Sequence, residues 1–344
     1  MNGRMQFRYV GFSREREFWV NSAGDTIPVS SRSDFEIERG RFSFEGFMLD
    51  EDLQYFINFD FDTDDRDVLI IHDFWVNIHF SEALDVYVGK AFVPGSRAWL
   101  NGSTTTRFSD RTLACTFFRP DRTVGVWAEG EYLEDRYYRV MVGDGFNTNG
   151  LQPVPGQIDI NFVYSGTTWW DIVGEYGRGY SDLEDHQVVA TKFGTSFTYA
   201  RQDGRGPVEQ PRIEQNFIRL ADGTRLTTPG ALLPGVVVNE YDIMLFAVDW
   251  AWKYRGWSFD MEYYFRQIDR IRGVDSADPD NPVPVSLGGE VIYNHGFGME
   301  AGHFLIPKRF EVNFRTSQIY GDYGPGREYA GGINGFRNGT HNYK

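Results

Sequence analysis

Cysteine is almost missing: Cys115 is the single one in 344 residues, so the chain has no disulfide framework and no cysteine-based metal site. Taken alone, Cys115 reads as an ordinary small residue. No stretch approaches the roughly 20 apolar residues that a membrane-crossing helix needs, and the most apolar window, 241–254, alternates instead. Positive charge is also short: Lys and Arg total 34 against 49 Asp and Glu, and the formal charge of −15 argues against nucleic acid as a partner. No leader peptide is visible, because Met1-Asn2-Gly3-Arg4 runs straight into an alternating segment. Either a leader was removed or the sequence begins partway along the gene product. Proline is confined mainly to connections: 278–284 (Asp-Pro-Asp-Asn-Pro-Val-Pro) and 204–211 cannot be ladder strands.

Aromatic residues are what the chain has in excess. They make up 17% of a sequence whose mean hydropathy is only −0.44. They stand singly among Asp, Asn, Gln, Arg and Gly, as a wall with one greasy and one wet face requires. The dominant period is two. In 53–62, Leu53, Tyr55, Ile57, Phe59 and Phe61 share one face and Gln54, Asn58, Asp60 and Asp62 the other, with Phe56 the exception. In 242–254, Met244, Phe246, Val248, Trp250, Trp252 and Tyr254 form one face, opposite Asp249, Lys253 and small residues. A tight turn at Tyr254-Arg255-Gly256-Trp257 leads into 257–268, where Phe259, Met261, Tyr263 and Phe265 alternate with Ser258, Asp260, Glu262 and Arg266.

The same rule predicts strands near 4–13, 34–47, 68–80, 84–92, 123–130, 136–143, 157–164, 187–200, 291–305, 309–319 and 328–336. Several reach the length of a tilted membrane strand, longer than the globular norm of about 5–6 residues. Connections alternate in length: 14–33, 62–67, 93–122, 201–240 and 269–290 on one side, and short turns at 48–52, 81–83, 131–135, 255–256 and 306–308 on the other. The segment 165–186 breaks this alternation, being long on the short-turn side. Lipid satisfies no backbone hydrogen bonds, so the expected fold is all-β, a closed transmembrane antiparallel β-barrel forming one domain over 1–344.

Several stretches resemble the phosphate-selective porin (porin O/P) family. They are Asp73-Phe74-Trp75-Val76-Asn77 with Leu84 to Pro94, Phe118-Arg119-Pro120-Asp121-Arg122-Thr123-Val124-Gly125-Val126, Gly296 to Arg315 with His303-Phe304-Leu305-Ile306-Pro307, and Gly332-Ile333-Asn334 with Asn338-Gly339-Thr340-His341-Asn342. The resemblance covers nearly the whole chain and rests on their order and spacing. It implies a 16-stranded barrel in the outer membrane of a Gram-negative-type envelope, against lipid and lipopolysaccharide. It also implies a homotrimer and a third loop, 93–122, folded into the lumen as a constriction. Thirteen complete strands are legible, with a further start at His341-Asn342-Tyr343-Lys344, so the expectation is a sequence truncated relative to the natural chain.

Selectivity is set at a constriction rather than by total charge. Within 93–122 stand Arg97, Arg107, Arg111, Arg119 and Arg122, opposed by Asp110 and Asp121, and Lys90 precedes them. These six cations are the expected solute-binding residues, since guanidinium forks take phosphate in a bidentate manner. Arg8, Arg39, Arg41, Arg139, Arg266 and Arg315 are candidates for a lumenal ladder. The competing reading pairs all these arginines with acids inside the wall, because Asp60, Asp62, Asp249, Asp260 and Glu262 project to the same lumen by parity.

Other constellations are weaker. Asp60-x-Asp62-x-Asp64-Asp65-x-Asp67 lacks the glycine and terminal glutamate of a calcium loop. His72, His79 and Ser81 carry no nucleophile motif, and His186, His295, His303 and His341 no metal spacing. No enzyme, cofactor or metal is expected. Trp169-Trp170 and Trp250/Trp252 read as interface girdle residues. The function expected is passive diffusion of small hydrophilic solutes, with anions such as phosphate favoured. A structural barrel subunit of a larger envelope complex, contacting partners through 201–240 and 269–290, is the alternative. A soluble carbohydrate-binding β-sandwich ranks third.

Overall fold

The computed structural model describes residues 1–61, 69–102, 104–146, 161–203, 218–275, 284–287 and 290–340. The acidic run Asp62 to Asp67, residues 157–160, 204–211 and 278–283, and the start at 341–344 lie outside them. In chain order the first elements are β1 (Asn2–Phe12), β2 (Phe18–Val20), β3 (Thr26–Pro28), β4 (Arg32–Met48), β5 (Asp50–Phe61), β6 (Ile70–Ser81) and β7 (Leu84–Phe92). Two short helices follow, α1 (Arg97–Leu100) and α2 (Leu113–Phe118), then β8 (Arg122–Leu133), β9 (Arg136–Gly143), β10 (Val163–Val173) and β11 (Ala190–Asp203). The last are β12 (Val236–Tyr254), β13 (Trp257–Asp275), β14 (Pro284–Ser286), β15 (Ile292–Ile306), β16 (Phe310–Gly321) and β17 (Gly326–Gly335).

Apart from the β2–β3 ribbon, these strands form one antiparallel meander in sequence order from β1 to β17, with β14 appended to β13. Each strand on the path pairs with its predecessor, so hairpins alone build the sheet. At the β12–β13 turn both Arg255 (φ 48°) and Gly256 (φ 76°) are left-handed. That is the requirement of a two-residue hairpin whose twist matches its strands. The two ends of the meander converge on one loop residue. The Asp110 carboxylate accepts from Arg8 of β1 at 2.9 Å and Arg39 of β4 at 3.1 Å, while its carbonyl accepts from Arg315 of β16 at 2.6 Å. The sheet is therefore curled around this loop as a barrel wall.

Polarity across the wall is inverted relative to a water-soluble protein. On β12 and β13, Asp249, Lys253, Ser258, Asp260, Glu262 and Arg266 are buried on the concave side. Phe246, Trp250, Tyr263 and Phe265 stand exposed on the convex side. The pattern continues through outward Tyr293, Phe314, Tyr329 and Ile333 and inward Asn294, Glu300, Glu311 and Arg315. In water each exposed large side chain would forgo about 1.5–3 kcal/mol of burial, while the charges inside would still need partners. The arrangement is stable when lipid is the outer solvent, which makes this an all-β transmembrane barrel wall.

The alternation read in 242–254 and 257–268 is the one observed. Of the strand expected at 157–164 only 161–164 are described; there β10 begins at Val163 and runs on into the segment 165–186 expected as a connection. Its Ser165-Gly166-Thr167-Thr168 run reads as a turn, but the hydroxyls are ladder-compatible: Ser165 Oγ lies 2.7 Å from Thr198 Oγ1, and Thr167 donates to Thr195 O at 3.1 Å. Trp169 and Trp170 consequently face opposite ways. Trp170 packs on Phe193 (centroids 4.8 Å apart), whereas Trp169 shares the parity of inward Thr167 and stacks on Tyr137 at 5.7 Å.

Candidate functional site

The connection between β7 and β8 is tied at its neck, where Val93 N donates to Asp121 O at 2.9 Å and Trp99 Nε1 to the same carbonyl at 3.2 Å. Inside it, Ser96 caps α1 through Trp99 N (3.2 Å) and Thr112 caps α2 through Cys115 N (3.1 Å). These caps satisfy N–H groups that a short helix leaves unpaired. The segment lies against the concave faces of β13, β15, β16 and β17. Glycines on β15 make room for it: a Cβ on Gly298 would stand 2.7 Å from Thr112 Oγ1, and one on Gly302 2.9 Å from Arg107 Nε.

The arginines of this segment have different fates. Arg97 reaches Asp249 and, at 2.9 Å, Asp260. Arg107 has no exposed side-chain surface; it sits 2.9 Å from Asp260, 3.7 Å from Glu300 and 3.9 Å from Glu311, and donates to Tyr180 O at 2.8 Å. Arg122 binds Asp73 at 2.8 Å and lies 3.7 Å above the Phe92 ring, while Arg119 faces Asp121 at 3.7 Å. Lys90 is buried and donates to Ile71 O at 3.2 Å. Arg111 differs from the other four arginines. It donates to the carbonyls of Ala98, Trp99 and Asn101 at 3.2, 3.1 and 2.9 Å, and lies 4.6 Å from the Trp99 ring centre. Among the described residues no carboxylate pairs with it. Burial lowers its pKa, and repulsion from Arg119 and Arg39 acts in the same direction, yet a guanidinium stays charged.

The ladder candidates are mostly neutralised. Arg8 pairs with Glu36, Glu38 and Asp110; Arg39 with Glu38 and Asp110; Arg41 with Asp60; Arg139 with Glu129; Arg315 with Glu300 and Glu328. Arg266 is buried under the Phe117 ring and donates to Asn294 Oδ1 at 2.7 Å.

A second segment enters from the short-turn side. It connects β10 to β11 and meets the first segment inside the wall. Tyr180 N donates to Thr105 O at 3.3 Å, Ser181 Oγ to Glu311 at 2.9 Å, and Tyr176 Oη to Asp260 at 2.9 Å. Its far end is pinned to the β12–β13 turn by Gly256 N on Asp182 (2.8 Å) and Lys253 on Glu184 (3.2 Å). Asp182, Glu184 and His186 stand close enough to share a metal ion, contrary to the spacing argument for His186. Each already has a protein partner, since His186 Nδ1 lies 2.5 Å from Asp182. The signal available in the sequence was the length of this connection on the side of tight turns.

Together the two segments fill the lumen along β11 to β17. Along β4 to β9 a cavity of about 530 Å³ remains. Its charged lining comprises six arginines (39, 41, 111, 119, 122 and 139) against five carboxylates (Glu38, Asp60, Asp73, Asp121 and Glu129), with His72 beside them. Of the six cations expected at the constriction, Arg111, Arg119 and Arg122 line this space, whereas Lys90, Arg97 and Arg107 are not among its lining residues. Sequence reading missed its other component, the aromatic side chains Phe56, Trp75, Tyr87, Phe92, Trp99 and Trp127. Phe56, the parity exception in β5, was the available signal.

No family model matches the chain, that of the phosphate-selective porins included, and no curated protein sequence matches it. Among solved structures, it is similar to an anion-selective porin from Comamonas acidovorans (10% identity, 96% of this chain and 92% of that one, TM-score 0.47). It is also similar to OprB of Pseudomonas putida (11%, 92% and 89%, TM-score 0.45) and to the outer-membrane protein OmpT of Vibrio cholerae (10%, 97% and 83%, TM-score 0.47).

Proposed function

We propose that this chain is a passive diffusion channel of a bacterial outer membrane, passing small hydrophilic solutes along the β4–β9 wall and favouring anions at Arg111. The observation that carries the reading is a charged, hollow half-lumen inside a wall whose outer face is apolar. Two inward segments narrow the lumen without filling it, which suits a diffusion pore. The anion preference rests on Arg111, the loop arginine without a carboxylate partner among the described residues. A fixed cation in a narrow, partly desolvated passage raises local anion concentration out of proportion to total charge. The resemblance to phosphate-selective porins makes phosphate one candidate solute, and homotrimeric assembly in lipid and lipopolysaccharide the expected setting.

Purified protein in a planar bilayer under a KCl gradient tests this. The wild type is expected to reverse on the chloride side of zero, and Arg111→Ala to shift the reversal potential towards potassium. Absence of current would overturn the channel reading. A potassium-selective wild type, or an unchanged Arg111→Ala, would overturn the anion preference.

A further inference from the structure

A water-filled pore has no need of an apolar patch on its wet face. Yet four aromatic side chains meet there, one from each of β5 to β8. Phe56 and Trp75 are register partners and stack with centroids 5.3 Å apart. Tyr87 and Trp127 are register partners and stack at 5.0 Å with 7° between planes. Trp75 joins the two pairs edge-on, at 5.1 Å from Tyr87 and 6.5 Å from Trp127. All four line the cavity. A local distortion accommodates them: opposite Trp75 stands Gly89, with φ 143°, where a Cβ would lie 2.7 Å from Trp75 Cα.

Several polar groups beside this platform are paired with one another. Tyr87 Oη donates to Glu129 at 2.8 Å, and Asn58 Nδ2 and Arg122 Nε both donate to Asp73, at 3.0 and 2.8 Å. Arg41 is held on Asp60. A neutral sugar would have to share or break these pairs and would gain nothing from the charge of Arg111. Among the described residues that line the same cavity, Arg111 is the arginine with no carboxylate partner; its Nε and Nη2 donate to loop carbonyls, and it lies over the Trp99 ring. The rings stack on one another and Tyr87 and Trp127 are buried, so the cluster offers ring edges and the partly exposed Phe56 and Trp75; with a guanidinium that no described carboxylate pairs, it selects a ligand that is both aromatic and anionic. The cavity volume lies within the usual range for small-molecule sites.

We infer that the β5–β8 aromatic cluster and Arg111 form a binding site for aromatic carboxylates, which pack against the cluster with the carboxylate towards Arg111. The inference rests on the channel reading above and narrows its solute class.

The test is block of single-channel chloride current by benzoate, compared with acetate (same charge, no ring), benzyl alcohol (same ring, no charge) and maltose. Benzoate is expected to interrupt the wild-type current at concentrations where the other three do not. Trp75→Leu should raise the half-blocking benzoate concentration by about ten-fold through lost stacking and burial. Arg111→Gln should raise it by at least about ten-fold through loss of a charge-assisted contact. Heat-modified migration in gels verifies that each variant has folded, and Phe56→Leu replaces Trp75→Leu if the latter does not. Current without preferential benzoate block, block by maltose or benzyl alcohol at equal or lower concentration, or variants with unchanged block would each overturn the site. Absence of current would instead defeat the channel reading on which it rests.

Discussion

Replacing Arg107 by Ala removes the cation at the centre of the inward segment. Its guanidinium has no exposed surface and faces three carboxylates on three different strands: Asp260 of β13, Glu300 of β15 and Glu311 of β16. Truncation leaves these acids to Arg97, Arg315, Ser181 and Asn334, and leaves Tyr180 O without its donor at 2.8 Å. Breaking a buried ion pair from one side costs about 3–5 kcal/mol, and an orphaned buried carbonyl adds about 1–3 kcal/mol. The expected loss is therefore about 4–8 kcal/mol, unless the segment leaves the lumen first, in which case the pore widens and its current becomes noisy. Arg107→Lys should recover part of the loss, because one ammonium cannot span three acids. Denaturant unfolding in detergent micelles and single-channel recording measure the two effects. Unfolding within about 1 kcal/mol of wild type, the scale of an exposed pair, together with unchanged current noise would refute the reasoning.

Two further outcomes follow from the same contacts. Gly298→Ala places a Cβ 2.7 Å from Thr112 Oγ1, the cap of α2, so about 1–3 kcal/mol of overpacking is expected, read as a lower unfolding midpoint with an intact barrel. Asp110 is held below its ordinary pKa of 3.8: burial works against this, but the Arg39 hydrogen bond and the charges of Arg39 and Arg8 outweigh it. A depressed folded-state pKa gives stability that is present above the unfolded value and lost as pH falls through the folded one. The stability difference between wild type and Asp110→Asn should thus be constant above about pH 4 and shrink below it. A difference that stays flat into stronger acid would contradict this.

The strands were legible because one side of the wall meets lipid and the other water, so parity alone marks them. Asp249, Asp260 and Glu262 were placed inward from the sequence and are buried inward. Parity failed where both faces are small and polar, as in Ser165 to Thr168, since hydroxyls paired across a ladder look like turn residues. It also could not say which arginine remains unmatched. Arg97 finds Asp249 across 152 residues, and Arg107 finds its acids on strands remote in sequence. Such partners are created by curvature and by where a loop settles, neither of which is written in local spacing. Pairing with acids inside the wall describes four of the five loop arginines, Arg97, Arg107, Arg119 and Arg122. Phe56 breaks the alternation of β5 because it lines the cavity beside Trp75.

The central claim is that the polar face of this wall is wet and the apolar face lies in lipid. Arg139 and Val140 are adjacent on β9; Arg139 lines the cavity, and the Val140 side is 48% exposed on the other face. Cys115 does not interfere, because burial, with Glu262 adding to it, pushes its thiol up to about 12. Arg139→Cys and Val140→Cys, each reconstituted in vesicles, can be exposed to a charged, water-soluble thiol reagent. The account predicts labelling at 139 and protection at 140, with a second label beyond that of Cys115 appearing on Val140→Cys only in a denaturing detergent. Equal labelling at both positions in the membrane, or the reverse order, would contradict it.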